Sequence, residues 1–258
     1  MEICTVGGFD EVGKNMTAVK IGEDVFIFDC GFFLPGVIEL QEIEKIGYSL
    51  PSLRRVGGIP DERVLDSLGW KDKVRAVFLS HAHLDHIGGL PFLIHRYPNV
   101  EVYGTPFTIE VLKSLIEDSK VKITNKLKVV NQDSIHKIKT SEGGIEVEFI
   151  RTTHSTIDCS FLALHTKEGT FFYALDLKFD NHPTLGKPPN YLRLKEIGNK
   201  KVKALVIDAL YSYTDKKPGG EKIAEHLLED AFSKINRGKD KALFVTTFTS
   251  QIERLNNI

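Results

Sequence analysis

The segment Ser80-His81-Ala82-His83-Leu84-Asp85-His86-Ile87-Gly88-Gly89 places four metal-ligand side chains within six positions. It follows Val-Arg-Ala-Val-Phe-Leu-Ser at 74–80, a β-branched and apolar run that reads as a buried strand. Imidazole and carboxylate bind zinc at about 2.0–2.2 Å. His81 and His83 are two residues apart, so an extended loop turns both rings to the same side. Asp85 and His86 fall where that loop would enter a helix, beside the first pair and facing a second ion. A strand end is a rigid base for such ligands, and Gly88-Gly89 lets the backbone pass close by. The ordinary alternative is a histidine-rich surface loop. Three of the chain's 9 histidines lie in these positions, which favours the metal cluster.

Working outward, two ions need more ligands than one loop supplies. Thr152-Thr153-His154-Ser155 follows an apolar strand at 147–150, and Asp176 ends an apolar strand that starts at 170. His154 would complete a three-histidine site with His81 and His83. Asp176 has two carboxylate oxygens and so is suited to bridge both ions. Taken alone, a single His is more often a satisfied polar residue and a single Asp a cap.

The remaining pattern interleaves strands and helices. Strands are expected at 3–6, 16–21, 25–28, 74–80, 100–103, 160–164, 170–175, 202–207 and 242–247, and helices at 106–119 and 221–235. Residues 34–73 read as a long connection, broken by Pro35-Gly36, Pro51, Gly57-Gly58 and Pro60, with one short helix from an Asp61 N-cap to Gly69. Residues 122–149 suggest antiparallel strands. Two sheets flanked by helices suit this order better than one alternating parallel sheet. Residues 250–258 read as a helix, so a C-terminally truncated chain is expected.

Composition narrows the function classes. The 258 residues suit one large domain or one and a part. With 27% charged and 41% hydrophobic residues, disordered and collagen-like readings are excluded. Lys+Arg 34 against Asp+Glu 35 gives a net charge of -1, which excludes a uniformly basic nucleic-acid coat and leaves a local basic groove open. Three dispersed cysteines with no C-x-x-C pair indicate neither a disulfide framework nor a cysteine zinc finger. The N-terminus lacks the basic-then-apolar pattern of a signal peptide, and no run reaches the ~18 apolar residues of a membrane span. A cytoplasmic protein with no membrane association is expected.

The motif His81-x-His83-x-Asp85-His86, with His154 and Asp176 downstream, resembles the metallo-β-lactamase superfamily. Further stretches match in order: 7–16 (Gly-Gly-Phe-Asp-Glu-Val-Gly-Lys-Asn-Met), Asp29-Cys30-Gly31, Ile59-Pro60-Asp61, Val102-Tyr103-Gly104-Thr105, Thr153-His154-Ser155 and Asp176-Leu177-Lys178-Phe179-Asp180. Together they are similar to the ribonuclease J family of the β-CASP nuclease group, in its archaeal form. The resemblance implies an α/β fold, the αββα four-layer metallo-β-lactamase sandwich, over 1–205, and the start of an inserted β-CASP domain over 206–258.

The same resemblance implies two zinc ions. His81, His83 and His154 would hold one, Asp85 and His86 the other, with Asp176 between them. Asp29 would orient the histidine loop from behind, and Asp208 matches the acidic residue that opens the β-CASP segment. Asp85 and Asp176 carry the catalytic roles, Asp85 also as a proton acceptor. The family's last zinc ligand, a histidine, lies later than Ile258, and His226 does not replace it. Two zinc ions about 3.5–4 Å apart lower the pKa of a water to about 7, and the implied reaction is hydrolysis of an RNA phosphodiester. The implied mode is 5′-to-3′ exonuclease action on RNA with a 5′-monophosphate, with endonuclease action and a homodimer as open alternatives. Two rivals remain: another hydrolase of the superfamily acting on a lactam, thioester or small phosphodiester, and a non-catalytic RNA-binding fragment that lacks its last zinc ligand. Lys187, Arg193, Lys195, Lys200, Lys201 and Lys203 offer either a basic RNA path or a solvated helix face. Phe32, Phe33 and Phe179 are candidates for base stacking, with core packing the more ordinary role. His182 is a candidate substrate contact; His95, His136 and His165, with Cys30 and Cys159, read as structural.

Overall fold

The computed structural model describes residues 1–44, 48–215, 219–235 and 244–258. Two sheets pack face to face. The first is built from β1 (Glu2–Gly7), β2 (Met16–Ile21), β3 (Asp24–Phe28), β4 (Val74–Phe78), β5 (Glu101–Gly104) and β6 (Leu127–Val129), in that spatial order. Its first three strands are antiparallel, and β3 to β6 run parallel. The second sheet takes β7 (Ser134–Ile138), β8 (Ile145–Arg151), β9 (Ser160–Thr166), β10 (Gly169–Ala174) and β11 (Val202–Ile207), ordered β11-β10-β9-β8-β7. Only β10 and β11 are parallel in it.

Helices cover both outer faces. They are α1 (Leu34–Glu44), α2 (Leu50–Arg55), α3 (Val64–Ser67), α4 (Leu84–Ile87), α5 (Leu90–Leu93), α6 (Pro106–Ser119), α7 (Tyr191–Gly198), α8 (Glu221–Ile235) and α9 (Ile252–Asn257). The period-2 alternation of the strands decides which side chains meet. Phe26, Phe28 and Phe78 from the first sheet interleave with Val147, Phe149, Leu162, Leu164, Phe171 and Tyr173 from the second. Phe28 is the hinge pin of this layer, with ring centroids 5.4 Å from Phe78, 4.9 Å from Phe171 and 5.4 Å from Tyr173. The other face of the first sheet packs Val25, Ile27 and Val77 against α1, α5 and α6, and the outer face of the second packs Phe161, Ala163 and Phe172 against Ile197 of α7. This is the αββα sandwich that the sequence implied.

Several local expectations change. Residues 34–73 hold α1 and α2 in addition to the one short helix expected at 61–69, which is α3. Pro35 sits in the first turn of α1, where its missing N–H is not required. Gly36 there is a packing residue, since a Cβ would lie 2.7 Å from the Val56 carbonyl oxygen. Asp61 does not cap α3: the cap position is Arg63, which makes no side-chain cap bond, and Asp61 pairs with the Arg63 guanidinium at 2.6 and 2.8 Å. Residues 127–129 join the first sheet in parallel, while the turn at Gly143-Gly144 does close an antiparallel β7–β8 pair. Arg193 and Lys195, for which a helix face was one expectation, lie in α7, and Asn190 caps it by accepting from the Arg193 N–H at 3.1 Å. Of the strand expected at 242–247, residues 242 and 243 lie outside the described residues and 244–247 form no strand.

Glu148 fastens α7 to the second sheet. Its side chain is 4% exposed, and Arg193 donates to it through Nε at 2.6 Å and Nη2 at 2.9 Å, with His165 Nε2 at 2.9 Å. Burial alone would raise its pKa, but the bonds from His165 and Arg193 outweigh that and hold it at about 2, against an ordinary 4.5. A carboxyl depressed on folding stabilises fully above its unfolded pKa and loses that contribution as pH falls through the folded value. Urea titrations should therefore show stability falling between about pH 4.5 and pH 2, and Glu148→Gln should flatten that fall relative to the parent. An unchanged acid limb in the variant would count against this assignment.

Candidate metal centre

Four loops meet at one edge of the sandwich, each leaving the carboxyl end of a strand. After β3 comes Asp29, after β4 the His81–His86 segment, after β8 His154, and after β10 Asp176. His83 is extended (φ -68, ψ 146) and α4 starts directly after it, so Asp85 and His86 occupy its first turn as the spacing suggested.

The side chains converge as two groups. His81, His83, His154 and Asp176 form one, and Asp85, His86 and Asp176 the other; within each, one ligand atom per residue lies within 4.8 Å of the rest. His81 Nε2 is 3.1 Å from His83 Nδ1, which is 3.2 Å from His154 Nε2. Asp176 Oδ2 lies 3.7 Å from His81 Nε2, 3.4 Å from His154 Nε2 and 3.2 Å from His86 Nε2. Asp85 Oδ2 is 3.6 Å from His86 Nε2. Ligand atoms of a tetrahedral zinc site with bonds near 2.05 Å stand about 3.3 Å apart, so the donor set fits a divalent ion in spacing and in chemistry.

A buried carboxylate sets the tautomers. Asp29 accepts the Ser80 N–H at 2.8 Å and the Ser80 hydroxyl at 2.7 Å, and His86 Nδ1–H at 2.7 Å. The Ser80 oxygen is then free to accept His81 Nδ1–H at 3.0 Å. Both rings turn Nε2 toward the cluster, the nitrogen a ligating imidazole presents. Burial alone would lower His86, but Asp29 and Asp176 outweigh it and push it well up. Burial and the neighbouring imidazoles push His81 well down, burial lowers His83, and burial brings His154 to about 4, so all three are neutral near pH 7. For Asp176 burial is outweighed by the His86 hydrogen bond and the surrounding rings, which hold it at about 2.

Asp208 is exposed, accepts the Leu210 N–H at 2.7 Å and belongs to neither group. His182 and His226 are also outside both groups. Half of the basic cluster of the sequence lies away from the centre. Lys200, Lys201 and Arg193 line a cavity of about 410 Å³ with Gly169 and Thr170, at the start of β10. Asp176 follows the other end of that strand, roughly 20 Å away at about 3.3 Å per residue. Of the aromatics, Phe32 is core, Phe33 is half-buried under Lys14, and Phe179 is exposed.

Residues 59–192 match the family described as Beta-lactamase superfamily domain. The chain belongs to the beta-lactamase superfamily. Within it, similarity runs to ribonuclease J proteins. That of Pyrococcus abyssi is 40% identical over 259 residues, covering 100% of this chain and 56% of the relative. That of Methanocaldococcus jannaschii is 37% identical over 261 residues, again with 100% and 56% covered. The chain thus spans about half the length of the curated relatives it matches. Among solved structures, a protein of unknown function from Enterococcus faecalis V583 superposes with a TM-score of 0.69 at 22% identity, over 98% of this chain and 61% of that one, which establishes the shared fold. No helix among the described residues is long and apolar enough to cross a membrane.

Sequence reasoning gave no role to Ser80, Asn15 or Gly31. Asn15 Nδ2 lies 3.1 Å from both the Asp85 carbonyl oxygen and His86 Nε2. Gly31 is the tightest point of the centre: a Cβ there would lie 1.5 Å from the Asp85 carbonyl oxygen. The only sequence signal was its place directly after Asp29-Cys30. Gly31→Ala must displace the loop bearing Asp85 and His86. It should lower the melting temperature and abolish metal uptake, read by calorimetry and metal analysis, whereas Gly57→Ala, where a Cβ meets nothing within 4 Å, should leave metal uptake intact.

Proposed function

We propose that this chain is the catalytic portion of a metal-dependent ribonuclease of the ribonuclease J type, hydrolysing RNA phosphodiester bonds with two zinc ions. The observation that carries this reading is the pair of ligand groups sharing Asp176, each with donor atoms inside 4.8 Å. His81, His83 and His154 would hold one ion and Asp85 and His86 the other, with Asp176 available to both. Divalent metal at this centre supplies Lewis acidity toward a phosphate oxygen and acidifies water.

The chain's own groups do the rest. Asp29 and Ser80 keep His81 and His86 presenting Nε2, so neither ring has to rotate to ligate. Asp85, partly exposed at the rim, accepts a proton through Oδ2 as well as acting as ligand. His83 and His154 are also partly exposed and leave the cluster open on the side where a phosphodiester must enter. The proposal takes 1–205 as the metallo-β-lactamase unit and 206–258 as the opening of a β-CASP unit. A further histidine for the second ion comes, on this reading, from the additional length seen in the relatives. The action is 5′-to-3′ on RNA bearing a 5′-monophosphate, in the cytoplasm, where three free cysteines stay reduced.

Full-length protein loaded with zinc should bind two ions per chain by metal analysis and shorten 5′-monophosphorylated RNA on a sequencing gel. Asp85→Ala should abolish cleavage while circular dichroism stays unchanged. Asp29→Asn should weaken zinc binding by about 10–100-fold. Intact RNA after incubation with zinc-loaded full-length protein would sink the ribonuclease reading.

A further inference from the structure

Three residues past Asp176, the backbone adopts a conformation that a bulky side chain rarely takes. Phe179 has φ +50, in the left-handed region. For such a residue this costs of order 1–3 kcal/mol and is retained where surrounding contacts over-determine it. Here they do. The Lys178 N–H donates to the Thr153 carbonyl at 3.0 Å and the Asp180 N–H to Thr153 Oγ1 at 2.8 Å, bracketing Phe179 on both sides. Asp180 is buried and clamped in turn by the Glu221 N–H at 2.6 Å.

The strained backbone holds an apolar ring out of the core. Phe179 is 42% exposed and its neighbour Tyr191 is 43% exposed. The two ring centroids lie 5.9 Å apart with planes inclined by 32°. Buried Phe161 supports Phe179 from below, edge-on at 6.1 Å. Both rings thus keep part of their surface open to solvent. Asp176 lies at most about 11 Å away along the chain, at 3.8 Å per Cα step. That is the reach of one or two nucleotides from a phosphate at the metal centre. Lys178, the cation of that loop, is paired with Glu221.

We propose that Phe179 and Tyr191 form a shelf on which a base of single-stranded RNA stacks, fixing the strand one or two nucleotides from the cleaved link. The inference rests on the ribonuclease reading and names what part of the substrate is gripped. It makes an unpaired, stackable base at that position a requirement, which a duplex does not offer.

The test uses zinc-loaded full-length protein and a short single-stranded RNA with a phosphorothioate backbone and one 2-aminopurine, moved along the strand. The parent should quench the fluorophore at one or two positions. Phe179→Leu should abolish that quenching and weaken binding by about tenfold, within the range of single-base stacking. Phe179→Asn, which tolerates positive φ, should do the same and serves if the Leu variant does not fold. Zinc affinity should not change in either. An abasic RNA should bind the parent and the variants equally. Absence of quenching by the parent, unaltered affinity in both variants, or an equal loss on abasic RNA would overturn the shelf. Quenching without cleavage of ordinary RNA would sink the ribonuclease reading and leave the shelf standing.

Discussion

The buried carboxylate of Asp29 is the constraint on which the centre depends. It is fully enclosed, and among the described residues no Lys or Arg is paired with it. A carboxylate so placed is tolerable only if its oxygens are filled by donors. Ser80 and His86 supply them, and each is thereby committed: the Ser80 hydroxyl points to Asp29 and turns its lone pair to His81, and His86 gives its Nδ1 proton away. One residue outside the ligand set therefore fixes which nitrogen two of the ligands present. Loss of this carboxylate removes the hydrogen bonds and also leaves two rings free to flip.

Convergence of the remaining ligands follows from how the two sheets are joined at that edge. The Ser160 N–H donates to the Ser80 carbonyl at 3.0 Å, linking the start of β9 to the loop after β4. The Cys30 N–H reaches the His86 carbonyl at 2.7 Å, and the Gly89 N–H the Cys30 carbonyl at 2.9 Å. Thr153 receives both Lys178 and Asp180, so the His154 loop and the Asp176 loop move together. Phe28 and its ring neighbours lie immediately beneath, a close-packed layer with little freedom to let the strand ends drift. The cluster is thus held together by loop-to-loop backbone bonds over a rigid core.

This explains what was legible in the sequence and what was not. The ligands were readable because their chemistry is rare and their spacing local: His81 to His86 fit one loop and one helical turn, and His154 and Asp176 each close an unmistakable apolar strand. Strands were readable for the same reason, since Val-Phe-Ile-Phe at 25–28 has no other comfortable place. Of the helices of 34–73, α1 and α2 were hidden because Pro35 and Gly36 are punctuation in isolation, and only tertiary packing reveals Gly36 beneath Val56. Asp61 looked like a cap, but Arg63 competes for it across two residues. Gly31 and Ser80 were invisible because their importance is a distance between segments far apart in the chain, which no local pattern carries.

Charge placement carries the last step. Of the cations that looked like an RNA path, Lys200 and Lys201 lie at the far end of the second sheet, and Arg193 beside them is spent on Glu148 and Glu196. Nearer the centre, Lys178 is paired with Glu221, which Arg254 also holds at 2.7 Å. These two cations therefore sit in a clamp between the Asp176 loop and α8 and α9, each committed to Glu221. A polyanion approaching a chain of net charge -1 gains little from long-range attraction. What the rim of the centre does offer is the shared oxygen of Asp176, the open sides of His83 and His154, and exposed aromatic faces. Grip on a substrate must then come from short-range contacts at the metal centre and beside it. Such contacts make recognition depend on local strand geometry more than on overall charge.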